Sequence, residues 1–326
     1  MEGDDRGGAD RVAGDLGASK RSATATSAPR KLRLSYLEPR PLGFNELPYH
    51  VDFGDGLGGE LDVVDFVQAV LDEAKSWDIE QWRHTGSKSL DKQRKYAPVT
   101  QFAKDIGKNT WFGRVSRHEE KAPLRYAEFD YVLRRNHSWH EGQYTPEVVE
   151  VNSILKWDLE GGGKVEGWKD ISMELVEMFH RLPMPLNKRV FTTLVLSGTR
   201  TDLQSSETSN TLEEFIVVQL PVSLTKFPPA VKQHSHVKPS KYVQGVYVSI
   251  ERVAQIQGPL SNSNGDQSVK NRWTMATASD AKGVLPLWVQ KKAVPDAIAK
   301  DVKFVTDYVQ KNYGGEGWPE GSTKDR

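Results

Sequence analysis

The sequence predicts an α+β protein in which a curved antiparallel β-sheet is wrapped around one long C-terminal helix and encloses a cavity. Strand-like segments rich in β-branched residues follow one another between residues 189 and 279, with polar, turn-forming loops between them. Helical segments stand apart from these strands, as is typical of α+β rather than doubly wound proteins. The last helical segment then carries an unbroken apolar stripe at Ile298, Val302, Val305 and Val309.

The composition narrows the class of protein. Among 326 residues, Lys+Arg and Asp+Glu both number 44, and this zero net charge argues against nucleic acid as a partner. The absence of cysteine excludes a disulfide framework, a thiol nucleophile and a Cys-based zinc site. The N-terminus lacks the apolar run of a secretory signal, and no stretch reaches the ~18 apolar residues of a membrane span. We therefore expect a soluble, cytoplasmic protein.

The apolar residues are unevenly distributed and predict one folded domain with two tails. Residues 1–31 are rich in Gly, Ala, Ser, Asp and Arg and have almost nothing to bury, which predicts a disordered arm. Residues 314–326 have the composition of a flexible tail. The folded domain is therefore expected to span residues 32–313.

The first half of that domain is predicted to be mostly helical. Apolar spacing indicates a helix over 61–77, a strand over 110–118 and helical structure over 124–145. Residues 146–159 alternate and predict a strand, with one side formed by Val149, Val151, Leu155 and Trp157. Residues 168–182 are predicted to form a further helix, which Pro183 ends.

The second half is predicted to be a series of strands followed by the closing helix. The strands are expected over residues 189–198, 213–222, 241–256 and 268–279. Pro295 is expected at the first position of the final helix, where its missing N–H costs nothing. A helix laid across the concave side of a curved sheet can enclose a hollow instead of filling it.

Four stretches carry a resemblance to a known superfamily: residues 111–119 (WFGRVSRHE), 137–144 (HSWHEGQY), 247–253 (YVSIERV) and 273–290 (WTMATASDAKGVLPLWVQ). With the element order, they resemble the helix-grip fold of START-like lipid-binding proteins, most closely an uncharacterised fungal START-like family. The resemblance spans roughly residues 35–312. Its most specific part is Trp273, the turn between Gly283 and Pro286, and a long helix with an early Asp301.

The resemblance implies that a hydrophobic small molecule binds in an internal cavity gated by the C-terminal helix. A sterol, a phospholipid, a fatty acid and a polyketide-like metabolite all belong to the implied ligand class. Transient contact with a membrane during ligand transfer is also implied. No catalytic constellation is transferred to this chain, and neither a cofactor nor a metal is expected.

Charged and polar residues alternate on the strand of residues 110–118. Arg114, Ser116 and His118 share one face of it. A charge that points into a hollow is costly unless it is paired, so this face would meet a ligand headgroup or a carboxylate such as Glu141 or Glu251. The alternative is that this face meets water and that the opposite face points inward.

The histidine-rich segment 137–141 offers a second polar group. On a helix, His137 and Glu141 share a face at i, i+4, with His140 beside them. Three interpretations stay open: a metal site, a polar cluster at the cavity wall, and local hydrogen bonding. The spacing matches neither H-E-x-x-H nor H-x-x-E-H, which disfavours the metal site.

Two late strands place large apolar side chains beside polar ones. Trp273 and Met275 share one face of the last strand, and Tyr247 and Glu251 share one face of the strand before it. A lipid pocket needs this mixture, although a solid core would use the same residues. The predicted ligand-binding residues are Trp111, Arg114, His118, His137, Glu141, Tyr144, Trp157, Tyr247, Glu251, Trp273, Met275, Val302 and Val305.

Fold alone does not choose among the functions that such a cavity supports. Ligand binding and transfer is the leading hypothesis. The first alternative is a cyclase, aromatase or pericyclase of secondary metabolism on the same scaffold, with Arg114, His118, His137 or Glu141 as acid, base or oxyanion donor. The second alternative is a ligand sensor whose helix position is read by a partner protein.

Overall fold

The computed structural model describes residues 35–54, 61–93, 95–121, 124–159, 163–182, 188–203, 210–238, 240–260, 267–280 and 287–313. Side chains at 259, 260, 267 and 287–292 are not described. The predicted arm over 1–31, the tail over 314–326 and the turn between Gly283 and Pro286 lie outside the described residues. The domain limits therefore stay a prediction.

One ten-stranded sheet forms the frame of the protein, in the order β1-β2-β3-β10-β9-β7-β6-β5-β4, with β8 parallel to β6. Along this order every neighbouring pair is antiparallel, and the sheet stays open between its edge strands β1 and β4. The strands are β1 Arg83–Lys88, β2 Val99–Ile106, β3 Asn109–Glu119, β4 Val148–Trp157, β5 Trp168–His180, β6 Arg189–Arg200, β7 Thr211–Pro221, β8 Val243–Gln244, β9 Val246–Leu260 and β10 Gln267–Asp280.

Helices lie on both faces of this sheet. They are α1 Val63–Lys75, α2 Tyr126–Phe129, α3 His137–Tyr144, α4 Pro229–Lys232 and α5 Leu287–Tyr313, and a π-helical turn over Asp130–Arg134 follows α2. The predicted α+β class, with an antiparallel sheet and a long C-terminal helix packed on it, is confirmed. In the part of the chain that the structure describes, no helix has the length and hydropathy needed to cross a membrane.

The first face, called the outer face here, packs against α1. Asp62 caps this helix by accepting hydrogen bonds from the backbone N–H groups of Val64 and Asp65. At its other end, Arg252 of β9 donates to the carbonyls of Ala74 and Lys75 at 2.8 and 2.9 Å. The helix thereby buries a stripe of Phe66, Val67, Val70, Leu71 and Ala74.

The second face, called the grip face here, packs against α5, α2 and α3. The predicted apolar stripe of α5 is confirmed, since Ile298, Val302, Val305 and Val309 are all buried. Val302, Val305 and Val309 join one core cluster with grip-face side chains that include Val217, Val253 and Trp273. Both faces of the central strands are therefore covered.

The prediction of a helix over residues 168–182 is wrong, because this segment is strand β5 between β4 and β6. Met173 and Leu175 belong to the outer-face core, whereas Val176 and Met178 belong to the grip-face core. A strand buried on both faces carries apolar residues on both sides, so its spacing imitates a helical stripe.

Strand β4 differs from the expected alternation. Register shifts between Val148 and Glu150 and between Ser153 and Leu155 each move the side chains to new faces. Val149 is consequently 41% exposed, although it was predicted to lie with the apolar side.

The start of the final helix also differs from the expectation. Helix α5 begins at Leu287, so Pro295 lies inside the helix and not at its first position. Proline lacks the N–H that the helical ladder needs, and its ring crowds the preceding turn. The carbonyl of Pro295 instead accepts a hydrogen bond from the Gln101 side chain at 2.6 Å.

Truncation of Phe66 should show how strongly α1 holds the outer face. This side chain is fully buried and packs edge-on against Tyr36, with the two ring centroids 5.1 Å apart. We expect Phe66→Ala to lower the free energy of unfolding by about 3–5 kcal/mol, measured by urea denaturation. Val51→Ala, at an exposed position, is the control, and a similar small loss in both variants would contradict the assignment.

Candidate functional site

Strand register brings a row of unlike side chains together in the middle of the grip face. Arg114 of β3 pairs with Met275 of β10, Met275 pairs with Glu251 of β9, and Glu251 pairs with Val217 of β7. Residues at paired positions of adjacent strands point to the same face. The row therefore combines a cation, a thioether, a carboxylate and a hydrocarbon beneath α5.

Arg114 stands at the centre of a group of four residues, called the arginine cluster here, whose other members are Glu251, Asp301 and Trp273. Its Nη2 lies 3.5 Å from Glu251 Oε1 and 3.9 Å from Asp301 Oδ2 of α5. The guanidinium carbon stacks 3.9 Å from the Trp273 ring centroid, a cation–π distance. The Trp273 indole N–H in turn donates to Glu251 Oε1 at 2.7 Å.

The guanidinium of Arg114 makes no hydrogen bond with the described residues, although the side chain is 0% exposed. Other inward-facing arginines of this chain are bonded. Arg134 pairs with Asp130 through two nitrogens and donates to the carbonyl of Asp170, and Arg252 donates to the end of α1. Buried polar groups are nearly always bonded, so Arg114 stands out.

The two carboxyl groups near Arg114 hold their protons unusually tightly. Burial raises the pKa of Asp301 to about 8 against the opposing effect of Arg114. Burial also raises the pKa of Glu251, against the charges of His137 and Arg114. An arginine keeps its charge in proteins, so a buried guanidinium still requires one ionised neighbour. Asp301 is protonated at neutral pH, and Glu251 Oε1, which accepts the Trp273 hydrogen bond, is the nearer carboxyl oxygen to the guanidinium.

Beside the arginine cluster lies a second polar group, called the histidine cluster here: His137 and Glu141 of α3, Gln219 of β7 and Tyr247 of β9. The Nδ1 of His137 is 2.5 Å from the carbonyl oxygen of Leu133, and its Nε2 is 2.9 Å from the Gln219 amide and 3.4 Å from Glu141 Oε2. Tyr247 donates its hydroxyl to Gln219.

Opposing effects set the charges in the histidine cluster. Burial lowers the pKa of His137, but the hydrogen bond and charge of Glu141 outweigh burial and raise this pKa to about 9. For Glu141, burial is outweighed by His137, and the pKa is lowered. At neutral pH the pair is therefore an imidazolium and a carboxylate.

His118 lies at the edge of the arginine cluster and is neutral. Burial, reinforced by the charge of Arg114, lowers its pKa to about 3. The ring bonds Ser116 Oγ at 2.9 Å and lies 5.2 Å from the Phe129 ring. His118 also lines a cleft of about 690 Å³ that runs beside α5 at Thr306.

Aromatic contacts hold the C-terminal part of α5 against α3. The hydroxyl of Tyr308 and Nδ1 of His140 are 3.0 Å apart, and the Tyr308 ring lies 6.0 Å from that of Tyr144. Tyr131 contacts both His140 and Tyr313. These contacts fix the end of the helix next to the histidine cluster.

Several side chains that point toward α5 keep part of their surface exposed. Met275, Tyr247, Tyr144 and Glu141 are half-buried, and the Asp301 side chain is 26% exposed. Each projects from the covered side of the sheet or from the helices that cover it.

The structure brings most of the predicted ligand-binding residues together on the grip side. Those that lie there are Arg114, His118, His137, Glu141, Tyr144, Tyr247, Glu251, Trp273, Met275, Val302 and Val305. The expectation that the Arg114 face could meet water is wrong, because α5 covers it.

Trp111 and Trp157 are not part of this site, which corrects their prediction as ligand-binding residues. Both belong to the outer-face core. Alternation along β3 places Trp111 opposite to Arg114, and the second register shift in β4 precedes Trp157. The indole of Trp157 donates to the carbonyl of Tyr49 at 3.0 Å.

Asp301 and Gln219 are site residues missing from the sequence-derived set. The resemblance points to Asp301 without giving it a role, although its place between Ile298 and Val305 on the apolar stripe is a signal in itself. Gln219 lies within the apolar run of β7, where an amide must find a buried partner.

Among the described residues, no group of three or more His, Asp or Glu side chains is arranged to hold a metal ion. In the histidine segment, the rings of His137 and His140 are bonded to Leu133, Gln219 and Tyr308. This arrangement favours the polar-cluster interpretation of the segment.

A comparison with known protein families identifies the family of this chain. Residues 111–309 match the family described as "Protein of unknown function (DUF3074)". The chain belongs to this family. The matched region runs from β3 into α5, so it contains both clusters. In sequence, no curated protein matches the chain.

Among solved structures, the chain is similar to human STARD10 at 15% identity and a TM-score of 0.48, covering 80% of this chain and 84% of that one. Human StAR-related lipid transfer protein 5 is 13% identical, with a TM-score of 0.46 and coverage of 76% and 95%. The lipid transfer and protein localization domain of human StarD13 (DLC2) is 18% identical, with a TM-score of 0.43 and coverage of 74% and 93%.

The predicted helix-grip arrangement is confirmed by this chain itself, since α5 lies across an open antiparallel sheet. Membership of a fungal family stays a prediction.

The His137–Glu141 pair should make stability depend on pH. The pKa of His137 rises from about 6.5 in the unfolded chain to about 9 in the folded protein. Its contribution is therefore complete below pH ~6.5 and is lost as pH rises through about 9. As pH rises from ~6.5 to about 9, we expect the free energy of unfolding of the wild type to fall by roughly 3 kcal/mol more than that of His137→Gln. Urea denaturation at each pH measures this difference. His84→Gln, at an exposed position, should follow the wild type. Parallel curves for wild type and His137→Gln would refute the linkage.

Asp301 should make the stability of the protein depend on pH in the direction opposite to that of an ordinary surface carboxylate. The folded protein keeps the proton of Asp301 until its pKa of about 8, whereas the unfolded chain loses it near pH 4. The residue therefore costs stability increasingly between those values. We expect Asp301→Asn to match the wild type at pH 4 and to exceed its unfolding free energy by more than ~1 kcal/mol at pH 8.

Asp296 of the same helix is the matched control for Asp301. A hydrogen bond from Lys88 lowers its pKa, so Asp296→Asn should lose stability at pH 8 instead of gaining it. Equal changes in the two variants would mean that burial does not set the protonation of Asp301.

Proposed function

We propose that this protein binds a hydrophobic small molecule between the grip face and α5, and that it transfers this molecule between membranes or proteins. The observation that carries the proposal is the set of partly exposed side chains on the grip face and on the helices that cover it, Met275, Tyr247, Tyr144 and Asp301. A solid core would bury them completely. Partly exposed side chains between a sheet and its covering helices are what the wall of an internal binding site would present.

The chemistry of the grip face supports an apolar ligand. Met275, Tyr247 and Tyr144 supply partly exposed apolar and aromatic surface, and the two polar clusters add a small number of oriented groups. Small-molecule sites are mostly apolar, with few polar groups that set orientation. At ~25 cal/mol per Å² of apolar area, burial of a lipid-sized ligand would contribute several kcal/mol.

Entry and release would involve the N-terminal part of α5. Pro295 interrupts the hydrogen-bond ladder there, whereas the C-terminal part is attached to α3 through Tyr308 and His140. The cleft of about 690 Å³ beside Thr306 borders the same helix and would give access along it. Partial opening of this kind leaves the sheet folded.

Transient membrane contact during transfer would use α3. Trp139 is 56% exposed on this helix, next to the His140 that contacts α5. Tryptophan is enriched where proteins meet the membrane interface, because its ring is amphipathic. A cytoplasmic location stays a prediction.

Native mass spectrometry is the direct test of ligand binding. The purified full chain is measured as isolated and after incubation with mixed lipids, and any bound molecule is extracted and identified. We expect a bound species at one molecule per chain. A mass that stays at the value of the protein alone under both conditions would overturn the proposal.

Filling the interior should displace the ligand. Met275 is half-buried beside Arg114, so a larger side chain there would occupy the proposed site. We expect Met275→Phe and Met275→Trp to reduce bound lipid progressively, by about tenfold for Trp, while circular dichroism stays unchanged. Val51→Trp, on the exposed surface, is the control. Unchanged lipid binding in two folded Met275 variants would place the ligand elsewhere.

An enzyme on the same scaffold is the second candidate, and the histidine cluster favours it. An imidazolium and a carboxylate 3.4 Å apart next to the Tyr247 hydroxyl could hold and deliver a proton. Conversion of a bound polyketide or terpenoid that disappears in His137→Ala and Glu141→Gln would establish an enzyme. Lipid exchange that is indifferent to both changes would establish transfer.

A further inference from the structure

A cleft of about 350 Å³ opens on the outer face, on the side of the sheet that does not carry the two polar clusters. It is called the α1 cleft here, because residues 75–81, at and after the end of α1, form one wall. Arg252 of β9 and Arg272 and Thr274 of β10 form the opposite wall. A volume of this size suits a small ligand, and the proposed function leaves the cleft unused.

Strand register concentrates arginines at the α1 cleft. Arg272 of β10 pairs directly with Arg117 of β3, and Arg252 of β9 pairs with Thr274, two residues further along β10. Like charges that lie directly opposite each other on neighbouring strands repel. Burial lowers the pKa of Arg252, and the charge of Arg272 lowers it further. Three guanidinium groups therefore crowd one part of the outer face.

The carboxylates at the α1 cleft do not balance these three cations. Glu80 accepts from Arg272 Nη1 at 3.2 Å through Oε2 and from Arg117 Nη2 through Oε1, so one carboxylate serves two arginines. Arg252 instead donates to backbone carbonyls at the end of α1. Asp78 also lines the cleft, where its side chain accepts from the backbone N–H of Glu80. Three cations thus face two carboxylates, which leaves an excess of one positive charge.

The other charged groups near the cleft are balanced among themselves. Lys75 pairs with Asp202, and Arg200 pairs with Asp202 and with Glu214. These two cations and two carboxylates form a closed network beside β7. The excess charge therefore remains with the three arginines of β3, β9 and β10.

We propose that the α1 cleft binds a phosphate group, carried either by a soluble phosphate ester or by a lipid headgroup at a membrane surface. This inference goes beyond the proposed function, since the grip face lies on the opposite side of the sheet. The chemistry that both sources share is a tetrahedral anion with several acceptor oxygens.

The arginines keep enough donors for such an anion. A guanidinium carries five N–H groups in a planar fork that matches the oxygens of a phosphate. Toward the described residues, Arg252 donates through Nη2 and Arg272 through Nη1, so the other nitrogens are left for a ligand. The side chains of Arg272 and Glu80 are each 29% exposed, so a ligand reaches them from solvent. A bound phosphate would also supply the missing negative charge.

Titration of the full-length protein with phosphates tests the inference. Isothermal titration calorimetry is performed with inorganic phosphate, glycerol phosphate and acetate at low ionic strength, where charges are least screened. We expect one bound phosphate per chain and about tenfold weaker binding of acetate, which has fewer oxygens and less charge. Cosedimentation with phosphatidylcholine vesicles that contain phosphatidic acid tests the lipid source.

Two variants of the cleft should change phosphate binding in opposite directions. Arg272→Gln removes a cation and its donors, and we expect it to weaken binding about tenfold or more. Glu80→Gln removes the competing carboxylate, and we expect it to strengthen binding about tenfold. A damaged fold would not gain affinity, so the second variant keeps the test decisive. Arg40→Gln and Glu46→Gln are the matched controls, because these residues form an exposed arginine–carboxylate pair elsewhere.

The outcomes identify the source of the phosphate or overturn the inference. Glycerol phosphate binding that follows the two cleft variants in this way assigns a soluble ester. Binding of the phosphatidic acid vesicles alone, with the same dependence, assigns a lipid headgroup. Failure of both probes to bind, equal binding of acetate, or equal responses in the Arg40 and Glu46 controls would overturn the inference. Each of these results leaves hydrophobic ligand binding at the grip face unaffected.

Discussion

The charge of Arg114 beneath α5 is the constraint around which the grip face is arranged. A guanidinium cannot shed its proton inside a protein, so its neighbours must supply both a counter-ion and a surface that tolerates it. Glu251 and Asp301 place carboxyl groups beside the guanidinium, and Trp273 supplies the aromatic face. Asp301 keeps its proton at neutral pH because burial outweighs the attraction of the Arg114 charge. The protonation of one residue on α5 thus depends on a residue of the sheet.

A sheet covered on both faces makes this arrangement achievable. The outer face, under α1, holds the large apolar core, while the grip face receives the polar clusters. This separation allows the grip side to carry polar and partly exposed residues without loss of the fold, since the outer core provides stabilising burial of its own. The family match runs from β3 into α5 and so contains both clusters.

The two polar clusters lie on one face but differ in charge. The histidine cluster is an ion pair in which each partner strengthens the other, and it joins α3 to β7. The arginine cluster is a cation with more donors than acceptors, and it joins β3 and β9 to α5. The first resembles a structural bond that could also move a proton, and the second resembles a site short of one partner.

The sequence by itself determined those elements of the fold that depend on local patterns. The apolar stripe of α5, the β-branched strands and the alternation of Arg114, Ser116 and His118 are properties of short segments, and each was read correctly. Neighbours in sequence set these patterns, so no knowledge of distant contacts was needed.

The features that depend on residues distant in sequence were decided only by the tertiary structure. Residues 168–182 became strand β5 because β4 and β6 bond it on both sides, which no local spacing reveals. Trp111 and Trp157 turned to the outer face, since α1 and not α5 covers their side of the sheet. The pairing of Arg114 with Glu251 and Asp301 required three elements to meet, because charge balance in a buried site is a property of spatial neighbours.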